Sequence, residues 1–256
     1  MLPTASKTSL VLSGCTHWVG KPPFEDKYAD TSKRYIGTVF HTAAERLLHG
    51  TPLQEATRDA QSSLRKGWPG TLAGLQDATE VMARMLRAAH KWISGTLGVS
   101  WEMLGTEVAV YLNLETGERG VVDVRDRGYP DVPGTLYGTA DIVGLNKYGL
   151  FVADWKTGGS DTARDQMMSL AAMMAPSGHG ATISTLSLRD DECNEWDEYV
   201  SEHELSDHLG RVRAAIGGVG GDPVSGAKCV AMYCNYLYNC PSVAKSISVL
   251  ANASIH

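Results

Sequence analysis

Two apolar stretches joined by a short turn constrain the fold of this 256-residue chain more than any other part of its sequence. The first, GTADIVGLN, ends at Asn146, and the second, GLFVADWKTG, begins at Gly149. The turn NKYG between them has Asn at its start and Gly at its end, which suits a tight hairpin with Gly in the left-handed conformation. The sequence therefore predicts an antiparallel strand pair.

The hairpin also predicts which side chains meet. If it is centred in the middle of NKYG, Asp141 faces Asp154 directly, and a bulge at Gly149 would shift this register by one residue. Opposing residues share a sheet face, and so do residues two apart on one strand. We therefore expect Asp141, Asp154 and Lys156 on one face, with Trp155 anchored in the core on the other.

This acid pair favours a metal site. Two close carboxylates repel each other, and a divalent cation removes that cost. Oxygen ligands suit Mg²⁺ or Mn²⁺, which polarise a phosphoryl oxygen and lower the pKa of bound water. Lys156 would orient that water or neutralise charge on the phosphate. The alternative is a surface salt bridge between Asp154 and Lys156, but the opposing Asp141 favours the metal site.

The rest of the chain alternates between helix and strand patterns. Apolar residues recur at helical spacing from Gly37 and along residues 72–93, whereas residues 107–117 and 181–189 read as strands. DTARDQMMSLAAMMA returns to helix after the hairpin. Residues 190–207 are rich in acids and predict an exposed start to a helix that runs to Ala215. This order favours a mixed sheet with helices on its faces.

The bulk composition limits the possible classes. With 43% hydrophobic and 20% charged residues, the chain suits one globular domain, and no apolar stretch is long enough to cross a membrane. The start of the chain is a poor signal peptide, so we expect a cytoplasmic protein. A net charge of −6 argues against a general nucleic-acid coat. Residues 1–100 nevertheless carry an excess of bases, which suits either a local phosphate-binding surface or an ordinary solvated surface.

The five cysteines are unevenly placed. Cys229, Cys234 and Cys240 lie close together, whereas Cys15 and Cys193 stand apart. In a cytosolic chain such a group suggests a metal or iron–sulfur site before disulfides, with free thiols as the alternative.

The segment GTADIV…FVADWKTG resembles motifs II and III of the PD-(D/E)xK nucleases, in particular the RecB-type exonuclease branch. That branch includes the AddAB nuclease domains and the CRISPR-adaptation nucleases. The segments SLVLSGCTHW and DKYADTSKRYIGTVFHTAAERLL are similar to its N-terminal Cys segment and its Gly-x-x-x-His helix.

The resemblance implies a set of site residues. His41, Asp141 and Asp154 would hold Mg²⁺ or Mn²⁺, and Lys156 would act in catalysis. Two further positions match catalytic residues of the branch, namely Glu107 as the motif I acid and Gln166 as the Gln of the helix after motif III. The alternatives are a structural His41 and an ordinary polar Gln166 on an amphipathic helix. One turn along the helix from His41, Glu45 would hold its imidazole or pair with a neighbouring base.

The resemblance also implies a four-Cys iron–sulfur cluster, made by Cys15, Cys229, Cys234 and Cys240. A 4Fe–4S cluster is expected, with Zn²⁺ as the alternative ion, and either would join the two ends of the chain. Cys193 would stay an unliganded thiol.

The expected architecture is a restriction-endonuclease-like α/β fold, with a mixed central sheet flanked by helices. Residues 1–256 would form one nuclease domain, with 1–36 and 226–256 as terminal cluster-forming segments. The expected activity is metal-dependent cleavage of DNA, single-stranded or with free ends, by an exonuclease. The setting would be phage recombination, repair or CRISPR adaptation, with a protein partner from one of these. The alternatives are a structure-specific endonuclease and a non-catalytic DNA-end-binding or complex-forming subunit.

Overall fold

A computed structural model describes residues 31–122, 129, 132, 134–157, 163–189 and 191–217, together with Thr4, Ala5, Thr8 and Leu12. The four cysteines of the expected cluster lie outside these residues. Within the described ranges, no helix combines the length and the apolar character needed to cross a membrane.

The described residues form five helices and six strands, in the order of an α/β domain. They are α1 (Ser32–Leu48), α2 (Leu53–Gly67), α3 (Leu72–Thr96), β1 (Trp101–Asn113), β2 (Arg119–Val121), β3 (Thr135–Asn146), β4 (Gly149–Lys156), α4 (Ala163–Met174), β5 (Ala181–Arg189), β6 (Glu192–Val200) and α5 (Glu202–Gly217).

The six strands form one mixed sheet in the order β2-β1-β3-β4-β5-β6. Only the β4–β5 pair is parallel, and α4 provides the crossover that a parallel connection requires. The other pairs are antiparallel. This arrangement confirms the predicted α/β class with a mixed central sheet flanked by helices.

Helices cover both faces of the sheet and enclose two cores. On one face, α1, α2 and α3 pack on Ile142, Phe151, Ala153 and Trp155. On the other face, α4 and α5 pack on a second set of buried strand residues that includes Val152 and Ile183. Trp155 is 2% exposed and makes edge contacts with Phe40 and Trp92, as expected of the anchor at the end of β4.

The hairpin register is the one predicted from the turn. The β3–β4 ladder runs from Asn146 opposite Gly149 to Ile142 opposite Ala153. Gly149 has a φ of +112°, which favours glycine. Asp141 and Asp154 are the next residues beyond the last pair, so they stand at the point where the two strands separate.

Two segments differ from expectation. The predicted acidic helix start over 190–207 is wrong for 192–200, because those residues pair along their whole length with β5 and form the edge strand β6. Acidic side chains occur on exposed edge strands, where they hinder further strand pairing, as well as on exposed helices. The density of acids in this segment therefore did not distinguish a strand from a helix. Helix α2 was not predicted, although the side chains of two alanines and one leucine on this helix are buried.

A buried polar contact fixes α4 against α5. The hydroxyl Oγ of Ser169 lies 2.8 Å from Nε2 of His208 and donates a hydrogen bond of 3.1 Å to Thr8. Burial, reinforced by the charges of Arg211 and Arg164, lowers the pKa of His208 to about 4, so its ring is neutral at pH 7. This contact holds the helix that carries Gln166.

Candidate metal and catalytic site

Three neighbouring strands bring three acids into one row across the sheet. Glu107 lies between the paired residues Thr106 and Val108 of β1, which places it opposite Asp141 of β3. Asp154 of β4 follows on the other side of Asp141. Glu107 has a φ of +48°, a conformation that is strained for a residue with a side chain. Such strain is typical of functional sites, and it has no signature in the sequence.

His41 reaches this row from helix α1. Its neighbour Phe40 is fully buried and makes an edge contact with Trp155, which fixes that turn of the helix on the end of the sheet. The Nδ1 atom of His41 lies 3.2 Å from Oδ1 of Asp141 and 3.8 Å from Oε1 of Glu107.

The charge state of His41 reflects these neighbours. Burial opposes protonation of the ring, but hydrogen bonds to Asp141 and Glu107 and the negative charge of Asp141 outweigh it. Together they raise the pKa of His41 to about 10. The raised pKa shows that this group of acids stabilises a positive charge placed at His41.

A second group of side chains lies beside the first. The Lys156 ammonium is 2.5 Å from Oδ2 of Asp154 and donates a 3.0 Å hydrogen bond to the Gln166 amide oxygen. The amide nitrogen of Gln166 donates in turn to Oδ1 of Asp154, at 3.1 Å. Asp154, Lys156 and Gln166 therefore form a closed triangle between β4 and α4.

Asp154 is the most constrained acid of the site. It is 4% exposed, and burial raises its pKa to about 6, with the charge of Asp141 adding to the effect and Lys156 opposing it. The other carboxylate is held in place by the backbone, because the N–H of Trp155 donates to Oδ2 of Asp141 at 2.7 Å. That contact leaves Oδ1 of Asp141 turned towards His41.

The donor set fits a hard divalent cation. One nitrogen of His41 and one oxygen each of Glu107 and Asp141 lie within 4.8 Å of one another. Neighbouring ligands of an octahedral ion at about 2.1 Å stand about 3 Å apart, close to the observed His41–Asp141 distance. Imidazole and carboxylate ligands suit Mn²⁺, and carboxylates suit Mg²⁺. The structure thus places Glu107 with His41 and Asp141, whereas Asp154 contacts Lys156 and Gln166, and its metal ligation stays a prediction.

A cavity of about 560 Å³ opens beside His41 and Glu107. It is further lined by Arg34, Gly37, Thr38, Thr42 and Glu45. Glu45 accepts a 3.4 Å hydrogen bond from Thr106, while the imidazole of His41 turns to the two acids instead. Arg34, Thr38 and Thr42 were not predicted as site residues, although Arg34 and Thr38 precede His41 by seven and three residues, a spacing that places them on its side of the helix.

The only thiol within the described ranges is that of Cys193. It is half-buried and forms no disulfide, and burial, together with the charge of Glu195, raises its pKa to about 12. This thiol is unreactive at neutral pH.

Comparison with known proteins covers most of the chain. A sequence model of the PD-(D/E)XK nuclease superfamily matches residues 19–241. No curated protein matches the chain. A solved structure titled "Crystal structure of SSO0001" is 13% identical, with a TM-score of 0.36 over 80% of this chain and 96% of the other. At that TM-score the likeness carries no further conclusion.

Proposed function

Because this chain belongs to the PD-(D/E)XK nuclease superfamily, we propose that it hydrolyses phosphodiester bonds of DNA with a divalent metal, as an exonuclease acting on DNA ends. The observation that carries this proposal is the close group of His41, Glu107 and Asp141, with Lys156 beside it. A subunit that only bound DNA would gain nothing from acids that repel one another at the end of a sheet.

Each residue of the site has a distinct proposed role. His41, Asp141 and Asp154 hold Mg²⁺ or Mn²⁺, and Glu107 joins them. A divalent ion held by these residues would polarise a phosphoryl oxygen and lower the pKa of a water bound to it. Lys156 orients the attacking water or neutralises the charge that develops on the phosphate.

Gln166 positions the other two members of its triangle. Its amide oxygen accepts from Lys156 and its amide nitrogen donates to Asp154, so it fixes both side chains relative to each other. The Lys156 ammonium is therefore held in one orientation. This orientation matters for catalysis, because a misplaced catalytic group loses much of its effect.

The proposed activity is tested with purified protein and Mn²⁺ on linear single-stranded, linear double-stranded and circular single-stranded DNA. An exonuclease degrades linear substrates progressively from their ends and leaves the circle intact, and EDTA stops the reaction. Absence of cleavage on all three substrates would contradict the nuclease proposal. Cleavage of the circle would replace the exonuclease by an endonuclease.

We further propose that the chain belongs to the RecB-type branch, and that it functions in recombination, repair or CRISPR adaptation with a protein partner. The resemblance of GTADIV…FVADWKTG and of the Gly37–His41 helix supports this proposal. In the same reading, Cys15, Cys229, Cys234 and Cys240 hold a 4Fe–4S cluster. The cluster would join the terminal segments 1–36 and 226–256 of a single domain.

Protein purified without oxygen is expected to contain about four iron atoms per chain and to show the broad visible absorption of thiolate-bound iron. Cys234→Ser should abolish both, whereas the matched variant Cys193→Ser should retain both, because that thiol stands apart from the group. Stoichiometric zinc in place of iron, or neither metal, would contradict the iron–sulfur assignment.

A further inference from the structure

A buried hydroxyl on strand β5 lies beside Asp154. This hydroxyl belongs to Thr185, which pairs laterally with Asp154 in the parallel ladder between β4 and β5. Val152 and Ile183, two residues earlier on the same strands, are also paired, and both pack in the core on the side of α4 and α5. Side chains two apart on a strand share a face, so Thr185 and Asp154 project from one face of the sheet. Neighbouring strands lie about 4.8 Å apart, which brings the hydroxyl within reach of the carboxylate.

Both side chains are buried, and each has a polar atom without a hydrogen-bond partner. Thr185 is 6% exposed and Asp154 is 4% exposed. Among the residues that the structure describes, neither Oγ1 of Thr185 nor Oδ2 of Asp154 takes part in a hydrogen bond. The 2.5 Å contact between Oδ2 and the Lys156 ammonium is an ion pair, but it lacks the geometry of a hydrogen bond. An unused donor and an underused acceptor therefore occupy paired positions on adjacent strands.

An unpaired hydroxyl at this depth carries an energetic cost. A valine would avoid that cost, because it has nearly the same shape as threonine and no polar atom in its side chain. Thr185 has two lateral neighbours in the sheet, Asp154 of β4 and Trp196 of β6. The indole of Trp196 can only donate a hydrogen bond, whereas the carboxylate of Asp154 accepts. Of these two side chains, only that of the acid beside Lys156 can accept a hydrogen bond from the hydroxyl.

We propose that Thr185 is a positioning residue that donates a hydrogen bond to Oδ2 of Asp154 when the Lys156 ammonium turns to the phosphate of the substrate. This inference rests on the proposed nuclease function and adds a residue to it. Movement of the ammonium would otherwise leave a buried carboxylate oxygen without a partner, which is costly. Rotation of the Thr185 side chain about its Cα–Cβ bond replaces the lost contact, so that Asp154 keeps its orientation.

Thermal melts test this hydrogen bond without any cleavage. In the wild-type background, Thr185→Val removes an unpaired hydroxyl and should raise the melting temperature by about 2 to 4 °C. In a Lys156→Met background the hydroxyl becomes the donor for Oδ2, so the same substitution should lower the melting temperature by a similar amount. Lys156→Ala provides the background if the Met variant does not fold. A shift of the same sign in both backgrounds would overturn the proposal.

Thr182→Val is the matched control on the same strand. Thr182 is 5% exposed, but its hydroxyl already accepts a 3.0 Å hydrogen bond from Asn146 at the turn of the hairpin. This substitution should therefore lower the melting temperature equally in the wild-type and Lys156→Met backgrounds. If Thr182→Val also changed sign between the backgrounds, the reversal would not come from the hydroxyl beside Asp154, and the proposal would be wrong.

Rates on linear DNA with Mn²⁺ test the consequence for catalysis. Thr185→Val should lower kcat about tenfold and leave KM and Mn²⁺ affinity unchanged, because the hydroxyl acts only after Lys156 has turned to the phosphate. Thr185→Ser retains the hydroxyl and should keep the wild-type kcat, as should Thr182→Val. Wild-type kcat in Thr185→Val would remove the positioning role.

Failure of this inference is distinct from failure of the nuclease proposal, because the melts require no activity. A protein that shows the sign reversal and cuts no DNA with Mn²⁺ would keep the hydrogen bond of Thr185 and lose the catalytic function. Conversely, a nuclease in which Thr185→Val shifts the melting temperature equally in both backgrounds would keep its activity and lose this inference.

Discussion

Replacing Asp141 by Asn is expected to weaken Mn²⁺ binding at least about 100-fold and to reduce DNA cleavage about 1,000-fold. Asp141 uses both carboxylate oxygens, one towards His41 and one on the N–H of Trp155. Asn has no negative charge and only one oxygen where Asp141 uses two, so it is a much weaker ligand for a cation when that oxygen accepts from the backbone. A metal contributes several kcal/mol to phosphoryl transfer, and about 4 kcal/mol corresponds to the expected loss in rate.

Calorimetric titration with Mn²⁺ and initial rates on linear DNA measure the two effects. The Asn variant removes one of the repelling carboxylates but also the partner that stabilises the protonated imidazole of His41, so a thermal melt is recorded to show that the variant is folded in the assay. Asp207→Asn, at an exposed position of α5, is the matched control and should change neither quantity. Wild-type Mn²⁺ affinity in the Asp141 variant would contradict the assigned metal group.

The hairpin of the site was predictable because its determinants are local. The turn NKYG fixes the register between β3 and β4, and the register in turn places Asp141 and Asp154 together at the end of the paired region. Trp155 follows from simple alternation along the strand. These features depend on residues close in sequence, because turn chemistry determines the strand register and the alternation along a strand determines which face a side chain occupies.

The contacts between residues that are far apart in the sequence were not predictable from hydrophobic periodicity or turn chemistry. Glu107 joins His41 and Asp141 because β1 pairs with β3 and because its backbone adopts a positive φ, and neither feature has a local signature. The motif resemblance identified Glu107 as a catalytic acid and named Asp154 as the third metal ligand, whereas in the structure Glu107 is the third member of the close group. The strand β6 shows the same limit, since pairing with β5 determined its conformation.

Replacing Lys156 by Met is expected to reduce DNA cleavage by about 100- to 1,000-fold while leaving Mn²⁺ affinity close to wild type. Lys156 contacts Asp154 and Gln166, not the close group formed by His41, Glu107 and Asp141. Its loss therefore removes a charge beside the reacting phosphate without removing a member of that group. Lys66→Met, at an exposed position near the end of α2, is the matched control and should cleave as wild type does.

A purely structural role for Lys156 makes different predictions. Loss of one partner from a buried ion pair destabilises a protein by about 3 kcal/mol, and loss of both partners relieves most of that cost. The double variant Asp154→Asn with Lys156→Met should thus regain the thermal stability that Lys156→Met loses. Its activity does not bear on Lys156, because Asp154 is itself a proposed metal ligand. Lys156→Met should be inactive even at a temperature where it is fully folded, and wild-type cleavage at that temperature would assign Lys156 to the fold alone.

The pH profile of cleavage tests one further explanation for the loss of activity in Lys156→Met. In that explanation, Lys156 serves only to keep Asp154 ionised. Burial and the charge of Asp141 already raise the pKa of Asp154 to about 6, and removal of the opposing ammonium raises it further. A carboxyl group with a raised pKa ionises again when the pH is increased past that value. If ionisation of Asp154 were the sole contribution, alkaline pH would restore cleavage in Lys156→Met. We expect no such recovery, because deprotonation of Asp154 does not replace the positive charge that the Lys156 ammonium would place beside the phosphate.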